Sequence, residues 1–166
     1  DLVVMAHIGL AVQGEGEVIF QGERMNAAEA LIKAGLKPVT LGCKDGLAIV
    51  NTSALFAGLG CLLAEDVMEF MDMCDLLYAL SLEAFGGNTS PLDEACHLAR
   101  PVRGPMETAA RVRRYLEGSF LWQPGVTVTM QDPLCYRSAC HVNGAVRDAL
   151  DYVIPHLAGH INSSDD

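Results

Sequence analysis

Two short polar clusters in this 166-residue chain hold the residue types that could do chemistry. The first is Asn51-Thr52-Ser53, set inside a run that carries no charge. A buried amide there needs partners, because leaving it unsatisfied costs about 1–3 kcal/mol. It serves either as a hydrogen bond between packed helices or as a donor aimed at a ligand or cofactor. The second cluster is Gln131-Asp132-Pro133-Leu134-Cys135-Tyr136-Arg137, which lies in a loop ahead of a helix. It brings an amide, a carboxylate, a phenol and a guanidinium close together. A loop-borne arginine can grip a substrate carboxylate through two nitrogens, and a phenol can donate or accept a proton. The alternative is an Asp132–Arg137 salt bridge that only closes the turn.

Other candidates carry less. Gly14-Glu15-Gly16 lacks the third glycine and the preceding strand of a dinucleotide fingerprint, so it reads as a turn. His156 and His160 are four apart, but no third ligand is placed and no glutamate lies between them; no metal site is expected. Cys140-His141 has no further support either. The cysteines at 43, 61, 74, 96, 135 and 140 form no C-x-x-C pair. Several sit in apolar helical stretches as small hydrophobes, which suits a reducing, cytoplasmic setting. No signal peptide is read at the start.

The elements that must position these clusters are helical. Hydrophobic residues make up 51% of the chain and aromatics only 6%, with a mean hydropathy of +0.25. That suits helices covered by neighbours in a larger assembly. The formal charge of -10 repels phosphate backbones and excludes generic nucleic-acid binding. Arg100, Arg103, Arg111, Arg113 and Arg114 read as a solvated helix face. Residues 46–64 carry no charge over a length sufficient to span a bilayer. Asn51–Ser53, Gly58 and Gly60 interrupt that run, and no aromatic belt or basic flank borders it. A helix buried on all sides in a bundle is expected there, not a membrane span.

The pattern predicts a helix over Leu2–Val12, a short extended stretch over Glu17–Gln21, and a helix from Asn26 that Gly35 stops. A long helical region follows over Lys44–Phe85, broken near Ala64–Asp66. Ser90-Pro91 restarts a helix. Pro105–Glu117 and Val142–Ala158 read as helices, and Val126–Met130 as extended. Both ends read as interior points of something longer, so residues 1–166 are expected to form a single segment of a central helical domain.

Taken in order, several segments resemble the family of histidine, phenylalanine and tyrosine ammonia-lyases. They are Asp1-Leu2 with Ala6-His7, Gly14-Glu15-Gly16-Glu17 with Gln21-Gly22, and Gly35-Leu36-Lys37-Pro38 with Leu41. The series goes on through Lys44–Asn51, Ser81–Ala84, Arg100-Pro101, Gln131-Asp132-Pro133 with Arg137, Gly144-Ala145, and Ile161-Asn162-Ser163 with Asp166. It covers nearly the whole chain and is weakest over residues 96–125. The resemblance implies an all-α fold, the long-helix bundle core of the ammonia-lyase (fumarase/aspartase-like) fold with short extended connectors. It implies a lyase that eliminates ammonia from an aromatic L-amino acid to give an α,β-unsaturated acid. The prosthetic group implied is a methylidene-imidazolone, formed from an Ala-Ser-Gly just before the Asp-Leu matched by Asp1-Leu2 and not present in this chain; no metal is implied.

By the same resemblance, Asn51 hydrogen-bonds near the prosthetic group, Gln131 supports that region, and Arg137 binds the substrate carboxylate. The family places a tyrosine three residues after the glutamine. Leu134 stands there in this sequence, so either Tyr136 substitutes or the phenol is dispensable. A tyrosine-bearing loop thought to supply the base lies N-terminal to this stretch. A homotetramer with shared active sites is implied, with no nucleic-acid or membrane partner. An aminomutase using the same site is the nearest alternative, and a non-catalytic helical fragment or interaction module is another.

Overall fold

The computed structural model describes residues 1–163, so the Asp166 of the last matched segment lies outside the described residues. The chain groups into two compact units, Asp1–Gly60 and Cys61–Asp166.

In the first unit, helix α1 (Leu2–Gln13) ends at Gly14, whose φ of +84° turns its N–H back onto the carbonyls of Ala11 and Leu10. A Cβ at Gly14 would also sit 3.3 Å from both Ala28 Cβ and Pro38 Cγ. Strand β1 (Glu17–Phe20) pairs antiparallel with β2 (Glu23–Asn26), with Phe20 opposite Glu23. Gln21 and Gly22 both take positive φ, as a two-residue hairpin turn requires. The expected extended stretch is therefore one arm of a hairpin. Its other arm, Glu-Arg-Met-Asn, was not anticipated because it has no alternating pattern. The Asn26 side chain accepts from Ala28 N at 2.9 Å and starts helix α2 (Ala27–Lys33). A Cβ at Gly9 would lie 3.0 Å from Ile49 Cγ2, where α1 packs on helix α3 (Asp45–Val50).

The long helical region is broken at Asn51–Ser53, not near Ala64–Asp66. Asn51 leaves helical geometry at φ -93°, ψ 61°, and Thr52 Oγ1 accepts from Ala54 N at 3.2 Å to start the next helix. From there α4 runs unbroken over Ala54–Phe85. Nothing in Ala64-Glu65-Asp66 competes with the helical backbone, so a charged pair alone does not stop it. By length and composition the stretch 45–85 could cross a membrane. Many of its apolar side chains are open within this chain, Phe56 at 72% and Phe70 at 65% among them, instead of covered as expected.

The second unit gathers the rest of α4 with helices α5 (Glu94–Leu98), α6 (Arg103–Tyr115), α7 (Leu134–Arg137) and α8 (Ala139–Ile161). Ser90-Pro91 opens only a 3-10 turn; Asp93, accepting from Ala95 N, is the cap that starts α5. Val126–Met130 is not a strand: it links to Gly86 O through Val128 N at 3.3 Å, and no strand among the described residues lies alongside. The core joins Tyr78, Ala79 and Leu82 of α4 to Leu92, Ala109, Val112, Leu116, Leu121 and Cys140. Burial pushes the Cys140 thiol up to about 12, so it packs as a neutral hydrophobe.

Arg100, Arg103 and Arg114 are exposed as expected of a solvated face, but Arg111 and Arg113 are half-buried and turn inward. Asp75 of α4 is fully buried. It accepts from Arg147 at 2.6 Å and Asn143 at 2.9 Å, both on α8, and lies 3.4 Å from Arg111 Nε of α6. Asp72, one turn back, pairs with Arg111 and with Arg147. Burial opposes the charged form of Asp72, but bonds from Arg147 and Arg111 outweigh it and hold its carboxyl below the usual range. Arg113 donates to the Leu92 carbonyl at 2.6 Å. Three helices are thus tied by charges inside an otherwise apolar packing, and removing one partner would strand the others.

Candidate active site

The two polar clusters fall in different units, and each has its own local construction. In the first unit, Asn51 caps the C-terminus of α3. It is exposed, and among the described residues its side-chain amide has no hydrogen-bond partner. It is thus not the buried helix-packing bond that one reading of the sequence offered. Asp1 reaches the adjoining helix start, where its Oδ2 accepts from Phe56 N at 3.1 Å. The carboxylate satisfies one of the open N–H groups of α4 and complements the positive end of its dipole.

In the second unit, Gln131, Tyr136 and Arg137 share one short loop and the single turn of α7. Asp132 anchors that loop. It is 3% exposed, with Oδ2 accepting from Asn88 N at 2.6 Å and Oδ1 from the Thr129 hydroxyl at 2.8 Å. Asn88 follows the Gly86-Gly87 end of α4. A Cβ at Gly87 would meet Leu82 Cδ1 at 2.3 Å and Asp132 Oδ2 at 3.0 Å, so a side chain there would have to displace Leu82 and crowd the carboxylate.

The Asp132–Arg137 salt bridge is not formed. Arg137 Nε donates instead to the Asp132 backbone oxygen at 2.9 Å. Among the described residues no carboxylate pairs with the guanidinium, which is exposed along with Gln131. Tyr136 is half-buried and bonded through its hydroxyl to Ser81. Leu134 is 65% exposed, one turn-face from Arg137. A guanidinium held by one nitrogen, and without a carboxylate partner among the described residues, can receive a carboxylate through its remaining nitrogens.

Sequence reasoning did not single out Tyr78, Ser81 and Phe85 as partners of this loop. Their three- and four-residue spacing on a helix was the available signal. His156 and His160 stay on a continuous α8 past Pro155, with His156 Nδ1 2.6 Å from the Tyr152 carbonyl. Among the described residues no group of three or more His, Cys, Asp or Glu is placed to hold a metal.

The fold is similar to that of solved ammonia-lyases, aminomutases and an ergothioneine-degrading enzyme. An ergothioneine-degrading ergothionase from Treponema denticola, solved with desmethyl-ergothioneine sulfonic acid, superposes with a TM-score of 0.89 at 41% identity. The match covers 98% of this chain and 33% of that one. A phenylalanine aminomutase from Pantoea agglomerans gives a TM-score of 0.87 at 31% identity, covering 98% of this chain and 35% of its own. Histidine ammonia-lyase of Streptococcus sanguinis (strain SK36) is 36% identical over 166 residues, which is 100% of this chain and 32% of the relative. The family model for aromatic amino acid lyases matches residues 1–166. The chain belongs to the aromatic amino acid lyase family. It spans about a third of the length of the curated relatives it matches.

Proposed function

We propose that the protein containing this segment eliminates ammonia from an aromatic L-amino acid, giving an α,β-unsaturated acid. The observation that carries the reading is Arg137, whose guanidinium has no carboxylate partner among the described residues and is oriented by the Asp132 backbone oxygen. It would take the substrate carboxylate and hold the side chain's β-carbon in a fixed place. That matters because a β-proton is weakly acidic, and its removal depends on fixed geometry and an electron sink.

A methylidene-imidazolone ahead of Asp1 would supply the electrophile for the substrate amine. The chain's own residues fit such a group. Asp1 is tied to the first turn of α4, next to the Asn51–Ser53 break, and the Asn51 amide has no partner among the described residues. Asn51 would donate to the group, and Gln131 would support the substrate from the second cluster. The reading further assigns a cytoplasmic homotetramer with sites shared between subunits, acting away from membranes and nucleic acids.

Arg137→Ala in the natural full-length protein is expected to raise KM for the amino acid about 10- to 100-fold and lower turnover, from loss of charge-assisted bonds. Appearance of the unsaturated acid, followed by its absorbance, measures this. Unchanged kinetics would take Arg137 out of the site. Likeness to the Pantoea phenylalanine aminomutase gives a reason to analyse products as well, since a β-amino acid would mark an aminomutase. The 41% identity with the Treponema enzyme places ergothioneine among the substrates to be assayed.

A further inference from the structure

Tyr136 is attached to α4 in three separate ways. Its hydroxyl lies 2.8 Å from Ser81 Oγ. Its ring stacks on Phe85, with centroids 4.8 Å apart and planes 11° from parallel. Its carbonyl accepts from the Tyr78 hydroxyl at 2.9 Å. Positions 78, 81 and 85 are three and four residues apart, so they stand on one side of the helix.

These attachments have a mechanical purpose. Helix α7 is four residues long, and one turn does not hold its own shape in water. Its geometry must come from outside. Tyr78 is 9% exposed, and burial pushes its phenol up, so it remains a protonated donor throughout the neutral range. The residue after Tyr136 is Arg137, and the far side of the same turn is pinned by Asp132 to Asn88. The Tyr136 hydroxyl, ring and carbonyl are therefore all engaged within the protein.

We propose that Tyr136 is a positioning residue, and that Tyr78, Ser81 and Phe85 form the clamp through which α4 fixes the direction of Arg137. This rests on the reading that Arg137 binds the substrate carboxylate. It also gives the phenol, for which proton transfer was considered from sequence, a different role.

The test is a double-mutant cycle in the natural full-length protein, with Tyr136→Phe and Ser81→Ala made singly and together. Affinity for an aryl-propionate is measured alongside kcat and KM across pH. Each single change should weaken aryl-propionate binding and raise KM about three- to tenfold, with the shape of the kcat profile against pH unchanged. The double variant should be no worse than either single one, and Ser81→Thr should restore the original affinity. A fall in kcat of about a hundredfold or more in Tyr136→Phe, with a limb of the pH profile lost and Ser81→Ala silent, would make the phenol a proton-transfer group and overturn the proposal. Fully additive losses would overturn it too. Arg137→Ala separates the two levels. If that variant binds aryl-propionate normally, the carboxylate assignment itself fails. If it binds weakly while the Tyr136 and Ser81 variants bind normally, only the clamp fails.

Discussion

Asp132 shows how one side chain can be read two ways until its partners are known. Its spacing from Arg137 suited a salt bridge, but both its oxygens are taken by Asn88 N–H and the Thr129 hydroxyl. The consequence for Arg137 is that its charge is not cancelled locally. Asp132→Asn tests the anchor. An amide keeps one accepting oxygen for Asn88 N–H and turns an NH2 toward the Thr129 hydroxyl, so a charge-assisted bond becomes a neutral one and the other must reverse its direction. We expect a loss of about 1–3 kcal/mol, read as a lower denaturation midpoint in the natural full-length protein. An unchanged midpoint would mean that the loop is held elsewhere.

Among the elements, the close crossing of α6 and α8 makes the strongest demand on sequence. A Cβ at Gly144 would lie 2.2 Å from Pro105 N, and one at Gly104 would lie 2.0 Å from Gly144 O. Gly104 N also donates to Asp148 Oδ1 at 2.8 Å. Gly144→Ala should destabilise the full-length protein by about 1–3 kcal/mol or more through overpacking. Gly46→Ala, with nothing within 4 Å of its Cβ, is the control and should leave thermal stability almost unchanged. Helices with strong local signals were legible in the sequence: α1 by its apolar run and Gly14, α2 by Asn26 and Gly35. Elements defined by partners were not. The β2 arm exists because β1 lies opposite, and Val126–Met130 stays irregular because no strand does. The same division holds for the site. Residue types and order pointed to Asn51, Gln131 and Arg137, whereas the clamp on Tyr136 depends on a helix about fifty residues away in sequence. The buried Asp75 with Arg111 and Arg147 was hidden for a similar reason, since its charges cancel only once three helices meet.

For the whole molecule, composition and exposure give opposing expectations. A formal charge of -10 favours solubility. Against it, large apolar side chains such as Leu2, Val3, Phe56, Leu62, Leu63 and Phe70 are 61–72% exposed on α1 and α4. Scattered exposed leucines need no explanation, but runs of them along two helices do. We expect the 166-residue chain, expressed by itself, to self-associate. Light scattering should then report a mass well above 17.8 kDa. A monodisperse monomer with one cooperative melting transition would show instead that these faces tolerate water, and would favour an independent module.

The Gly104–Gly144 contact also bears on how such a sequence can change over time. The obstacle to substitution there is the Cβ itself, which every other amino acid carries, so a conservative replacement is blocked as firmly as a radical one. Neither glycine can be exchanged first, because the backbone of the partner helix occupies the space at both. The crossing therefore acts as a ratchet: the residues around it can drift, while this pair can be left only by moving two helices apart in the same step.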